Sequence, residues 1–224
     1  MQYRDVKRAR FLERPNRFIA YVDLEGRRQI CHVKNTGRCR ELLLPGAEVF
    51  LEIAENPNRK TPYDLIAVRK GGRLINMDSQ APNHVFGEWA ADHWPGVREI
   101  HPEYTYGHSR FDFRIDTEQG TEFVEVKGVT LEEGGFARFP DAPTERGVKH
   151  IEELQRAAEA GYGATLFFVV QMEGIHAVAP NDDTHPAFGE ALRQASRNGV
   201  RVLAYDCLIS PDRLELHSSV PVIL

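Results

Sequence analysis

The chain has 224 residues, enough for one large domain or two small ones, and its apolar fraction of 42% supports a core but is too low for a membrane protein. The longest apolar run, ATLFFVV at 164–170, is far shorter than the roughly 20 residues of a spanning helix. The charged N-terminal stretch lacks the apolar segment of a signal peptide, so a cytoplasmic location is expected.

The net charge of −5 hides a division: residues 1–80 carry 16 basic and 10 acidic side chains, net +6, and residues 81–224 net −11. This predicts two modules, 1–80 and 81–224, with different tasks. Cys31, Cys39 and Cys207 are odd in number and form no C-x-x-C pair, which predicts reduced thiols and neither a disulfide scaffold nor a zinc knuckle.

Residues 1–80 read as short strands at 17–24, 28–33, 48–55, 64–70 and 73–78, punctuated by turns at Glu25-Gly26-Arg27, Pro45-Gly46 and Gly71-Gly72. Five short strands in this length suit a small barrel of the oligonucleotide-binding (OB) type. Phe18, Ala20, Val22 and Leu24 alternate onto one face, so Phe18 is expected in the core. Arg4, Lys7, Arg8, Arg10, Arg14 and Arg17 crowd the first stretch. With Arg38 and Arg40 they are candidates to line a groove that follows a phosphate backbone.

From residue 83 the pattern alternates. A helix is predicted over 83–94, with Val85, Trp89 and His93 at four-residue spacing and a stop at Pro95. A strand follows at 98–106, then two strands at 110–116 and 121–130. A helix over 144–161 has Thr144 as N-cap and an apolar stripe of Val148, Ile151, Leu154 and Ala158. A strand at 164–171, a helix at 183–199 with Phe188, Leu192 and Ala195 inward, and a strand at 200–207 complete it. The order predicts an α+β chain: a mixed sheet covered by helices, after the barrel.

The two strands joined by Thr117-Glu118-Gln119-Gly120 carry the chemistry. If Asp116 pairs with Thr121, then Asp112 falls opposite Glu125, and Phe111, Phe113, Val124 and Val126 form an apolar face. Lys127 joins the two acids. Like charges directly opposed are destabilising, so the pair calls for a compensating group, and Mg or Mn is the natural one for carboxylate oxygens. Lys127 can then act on a water or on charge developing at a phosphate. The plain alternative is a solvated charged face in which Lys127 neutralises one acid. Arg110, on the Asp112 face, and Arg146, Lys149 and His150, at the start of a helix, are candidate phosphate contacts. Helix pairing of Glu145 with Lys149 and Glu152 with Arg156 is the competing use.

Asp112 followed by Glu125-x-Lys127, on a predicted αβββαβ order, resembles the PD-(D/E)xK nuclease superfamily. More closely, NTGR (35–38), EYTYGHSRFDF (103–113), EVKGVTL (125–131) and FPDAPTERGVKHIEEL (139–154) resemble the bacterial sugar fermentation stimulation protein family, in order and across essentially the whole chain. The resemblance implies an OB-like barrel followed by a nuclease-like α/β domain, with DNA binding of low sequence specificity and DNA preferred over RNA. It implies catalysis by Asp112, Glu125 and Lys127, with Mg or Mn on Asp112, Glu125 and a third acid. Glu103 is favoured for the third acid, with Glu88 the other choice. Nucleic-acid contacts are expected from Arg17, Asn35, Arg38, Arg110, Arg146 and Lys149. Phe111-Asp112 departs from the superfamily's Pro-Asp. A non-enzymatic DNA-binding regulator that keeps the fold is the rival, and homo-oligomerisation stays open.

Overall fold

The computed structural model describes residues 1–35, 37–56, 58–107 and 109–224; Thr36 and His108, within the matched stretches, lie outside the described residues. The first part contains β1 (Val6–Asn16), β2 (Ile19–Leu24), β3 (Arg27–Val33), β4 (Glu48–Ile53), β5 (Tyr63–Lys70) and β6 (Arg73–Asn76). β1 pairs with β2 and β4, β2 with β3, and β4 with β5, while β3 runs parallel to β5 and closes a five-stranded barrel. The five strands are not the five expected. The ring opens with β1, in the stretch whose basic crowd masked it, and 73–76 hangs outside as an extension of β5. In β1 only Ala9 and Phe11 are buried, so a strand with one solvated face is hidden under its own charges.

Phe18 is 51% exposed instead of buried, because it sits in the β1–β2 turn, with the Arg17 guanidinium 5.7 Å from its ring centroid. Cys31, Cys39 and Cys207 are free and buried, and burial pushes the Cys31 and Cys39 thiols up to about 12.

The second part contains α1 (Ala81–His93), β7 (Val97–Tyr106), β8 (Ser109–Thr117), β9 (Gly120–Val129), β10 (Leu131–Glu133), β11 (Phe136–Phe139), α2 (Glu145–Glu159), β12 (Gly163–Val170), β13 (Ala177–Pro180), α3 (Pro186–Arg197), β14 (Arg201–Ser210) and β15 (Arg213–Ser219). Its main sheet has the order β15-β14-β12-β9-β8-β7, with β9, β12 and β14 parallel and the remaining pairs antiparallel. A second sheet, β10-β11-β13, was not expected from the sequence. No helix among the described residues is long and apolar enough to cross a membrane.

Local chemistry fixes the helices that frame the site. The Thr144 hydroxyl accepts the Gly147 N–H at 3.0 Å and starts α2, whose Ile151 and Leu154 are buried. α1 begins with Ala81-Pro82, earlier than expected, and buries Ala81, Pro82, Val85, Phe86 and Ala90. Phe86 is its anchor, with ring centroids 4.9 Å from Phe113 and 4.8 Å from Phe167. His93 is exposed and stacks on Trp89.

The β8–β9 register matches the expected pairing: Asp116 faces Thr121 and Phe113 faces Val124. The ladder ends there, because the Asp112 carboxylate takes the Val126 N–H at 2.8 Å. The expected four-residue apolar face is therefore broken. Phe113, Val124 and Val126 pack with α1, while Phe111 joins the other cluster, stacked on Phe123 at 4.8 Å. One apolar cluster runs from Ala9, Val22 and Leu65 in the barrel through Ile75 and Met77 to Val129, Leu154 and Met172. An Ile75–Met172 bridge and an Asn76 N–H bond to Gln171 O at 2.9 Å cross the same junction.

Candidate functional site

Four elements converge where the β8–β9 ladder ends. β9 is central to the sheet and sends Glu125 and Lys127 to one face; β8 brings Asp112, α1 brings Asn83, and α2 brings Arg146 and His150. Lys127 Nζ lies 2.5 Å from Glu125 Oε1 and 3.5 Å from His150 Nδ1. Arg146 Nε donates to His150 Nε2 at 3.1 Å, which leaves the ring proton on Nδ1, and Nδ1 donates to Glu125 Oε1. Asp112 accepts Asn83 Nδ2 on Oδ1 at 2.9 Å and Val126 N–H on Oδ2 at 2.8 Å.

Glu125 is only 2% exposed, and its Oε2 is buried with no partner among the described residues. Leaving a buried polar group unpaired costs about 1–3 kcal/mol, more for a charge. Burial pushes the Asp112 carboxyl above the usual carboxylate range, and the Glu125 charge adds to this against the pull of Lys127 and the two N–H donors. Burial also raises Glu125, but the His150 hydrogen bond and the Lys127 charge outweigh it and leave its pKa lowered. Two crowded carboxylates, one with an orphaned buried oxygen, fit a hard divalent cation, which Asp112 and Glu125 would hold.

The other expected residues are placed as follows. Glu103 has a positive φ of 55° and a side chain 71% exposed, paired with Arg110 at 2.5 Å, so neither is drawn into the cluster. Glu88 pairs with the Met1 amino group at 2.5 Å and with His84 at 3.3 Å. Lys149 reaches Glu153 at 3.7 Å, not Glu145, which reaches His185 at 3.3 Å.

In the barrel, Arg14 donates to the carbonyls of Arg17, Asn35, Gly37 and Arg38 at 2.7–3.0 Å. It is spent on pinning two loops together. Asn35 is likewise structural in its contacts: it donates to Met77 O at 3.0 Å and accepts the Gly37 N–H at 2.7 Å. Arg17, Arg38 and Arg40 remain on the wall of a cavity of about 700 Å³ that also includes Leu12 and Ala142. A Cβ on Gly37 would lie 2.6 Å from Asp141 Oδ2, so this barrel loop seats directly on the loop that leads into α2.

A second group, Glu99 and His101 on β7 with Asp116 near the hairpin end of β8, places ligand atoms within 4.8 Å of one another and could hold a divalent ion. The sequence reading missed it, as it missed Asn83 at the Asp112 site. It gave His150 only a phosphate role. No spacing marks any of these; His150 alone lies in a matched motif.

A family model described as "Sugar fermentation stimulation protein RE domain" matches residues 80–213, and one described as "SfsA N-terminal OB domain" matches 12–77. The chain is 56% identical to the sugar fermentation stimulation protein homolog of Desulfitobacterium hafniense strain Y51, covering 99% of this chain and 98% of that one. It is 50% identical to the homolog of Ruminiclostridium cellulolyticum, covering 99% of both. The structure of Pyrococcus furiosus SfsA in complex with Ca2+ is similar with a TM-score of 0.89 and 28% identity, covering 100% of this chain and 98% of that one. A closed OB barrel, a mixed α/β sheet domain and relatives matched from end to end lead to one conclusion: the chain belongs to the sugar fermentation stimulation protein family.

Proposed function

We propose that this protein is a cytoplasmic nuclease that binds nucleic acid, DNA in preference to RNA, with low sequence specificity, and hydrolyses phosphodiester bonds at Asp112, Glu125 and Lys127. The observation that carries this reading is the buried Oε2 of Glu125, unpartnered among the described residues, beside a second, half-buried carboxylate and a lysine. A purely structural pair has no use for that arrangement. The Pyrococcus relative is described with Ca2+, a hard cation of the same oxygen preference. When bound, Mg or Mn would supply Lewis acidity and a water that ionises near neutral pH.

The protein's own groups do the rest. His150 and Lys127 keep Glu125 ionised. Lys127, at 2.5 Å from Glu125, is within reach of a phosphate held there and stabilises its developing charge. Arg146, with the free N–H groups at the start of α2, offers phosphate contacts, as do Lys149 and Arg110 once released from Glu153 and Glu103. Arg17, Arg38 and Arg40 grip the backbone of the bound strand in the barrel cavity. Asp112 and Glu125 are preferred to the Glu99 group for the ion. Asp116 already accepts Arg114 at 2.8 and 3.1 Å and Thr121 at 2.7 Å, and the Arg114 charge opposes a cation.

The test is cleavage of single-stranded, double-stranded and branched DNA with Mg or Mn, comparing wild type with Lys127→Ala prepared identically. Turnover should fall by orders of magnitude while DNA binding persists, because the lysine acts mainly in the transition state. Equal residual cleavage in both preparations would move the reading to a non-enzymatic DNA-binding regulator.

A further inference from the structure

The segment Asn76-Met77-Asp78-Ser79-Gln80-Ala81-Pro82-Asn83 joins barrel to sheet, and almost every polar group in it is tied down. Asp78, fully buried, accepts Lys34 Nζ at 2.6 Å, the Tyr3 hydroxyl at 3.3 Å and the Gln80 N–H at 2.9 Å. Asn76 Oδ1 accepts Asp78 N–H at 3.0 Å and Gln171 Nε2 at 2.9 Å, and its Nδ2 donates to the Tyr3 hydroxyl at 2.8 Å. The Ser79 N–H and hydroxyl both donate to Lys34 O at 2.8 Å. Asn35 holds Met77 O at 3.0 Å. Pro82 then lands on β9: a Cβ on Gly128 would lie 2.6 Å from Pro82 Cγ and 2.5 Å from Gln171 Oε1, so only a glycine lets α1 seat so closely beside Lys127.

The next residue is Asn83, whose Nδ2 is 2.9 Å from Asp112 Oδ1. The Val126 N–H takes the other oxygen. One donor on each oxygen fixes the plane of the carboxylate and leaves a lone pair of each available. A donor rigidly mounted behind a ligating carboxylate has the standard arrangement of a group that orients a metal ligand.

We propose that Asn83 is a positioning residue for Asp112, holding its carboxylate in the orientation that receives the divalent ion, and that the barrel's Lys34 is part of its mount through Asp78. The proposal rests on the metal reading above. It assigns the barrel a role at the ion in addition to gripping the strand. The alternative is that Asn83 merely satisfies a half-buried acid.

The test is calorimetric titration of Mn into the full-length metal-free protein, as wild type, Asn83→Ala, Asn83→Leu and Asp112→Asn. The leucine variant removes the donor at similar volume, in case alanine disturbs the fold. Mn affinity should fall about 10- to 100-fold in both Asn83 variants, with the metal-free melting temperature nearly unchanged. The electron paramagnetic resonance spectrum of bound Mn at saturation should also change. Wild-type affinity and spectrum in both variants overturn the positioning role and leave the metal reading standing. Affinity lost only in step with the metal-free fold also overturns it. A wild type that binds no Mn overturns both readings together.

Discussion

Asp112 and Asp116 lie four residues apart on the same strand and have opposite fates. Asp116 is held by Arg114 and Thr121, and the Thr121 hydroxyl and the Arg114 guanidinium keep its carboxyl below the usual range. Asp112 has only amide donors, lies half-buried beside Glu125, and is pushed above that range. Both belong to acid-rich clusters that could take an ion. The difference is that Asp116 has its charge satisfied by an arginine and a hydroxyl, whereas Asp112 receives only neutral amide donors. Residue type does not separate them; the partners delivered by neighbouring strands and helices do.

Three experiments can break or sharpen that contrast. The largest effect should be on turnover: Asp112→Asn should abolish metal-dependent cleavage, a loss of several orders of magnitude, while Asp116→Asn should retain most of it. If Asp116→Asn is the inactive one, the ion belongs to the Glu99 group. Next in size is metal-linked stability. Mn at a hundredfold excess over its dissociation constant should stabilise wild type and Asp116→Asn by about 2.7 kcal/mol, read as a rise in melting temperature that Asp112→Asn lacks. An equal rise in all three proteins would remove Asp112 from the site.

The smallest effect concerns the metal-free protein and its pH dependence. Asp112 has a raised folded pKa, so its ionisation opposes folding above the ordinary carboxylate pKa, and this penalty disappears on acidification below it. Asp116 has a lowered folded pKa, so its contribution is present above the ordinary value and is lost as pH falls through the folded one. At pH 7 and without metal, Asp112→Asn should therefore be more stable than wild type. Asp116→Asn should be less stable, by up to about 1 kcal/mol, as for a partly exposed ion pair. Denaturant unfolding at pH 7 and pH 4 checks both signs, and a destabilised Asp112→Asn would contradict the account of its burial.

The hairpin register was legible because a tight connection and strict alternation leave few choices, and Phe113 faces Val124 as that arithmetic requires, although the expected four-residue loop is a two-residue turn, with Thr117 paired to Gly120. The barrel was legible as a type from its turns. β1 was not, because a strand with two buried side chains among charges has no apolar signature. The sheet of β10, β11 and β13 was missed for a different reason: β11 and β13 pair across some forty residues, and strands of three or four residues carry little pattern. Asn83 and His150 were beyond reach at the site itself, since they come from separate helices and meet Asp112 and Glu125 only after folding.

The apolar cluster that crosses from barrel to sheet has a consequence for how the chain comes apart. Ile75 and Met77 are completely buried, and a cut after residue 80 would bare them together with Met172 and Val129. The change of charge along the sequence is therefore not a mechanical seam. Heated, the protein should melt in one calorimetric transition, with van't Hoff and calorimetric enthalpies in agreement. Neither half could be traded for a foreign one without rebuilding the apolar surface between them, so a barrel transplanted alone would have to bring its own cover for Ile75 and Met77.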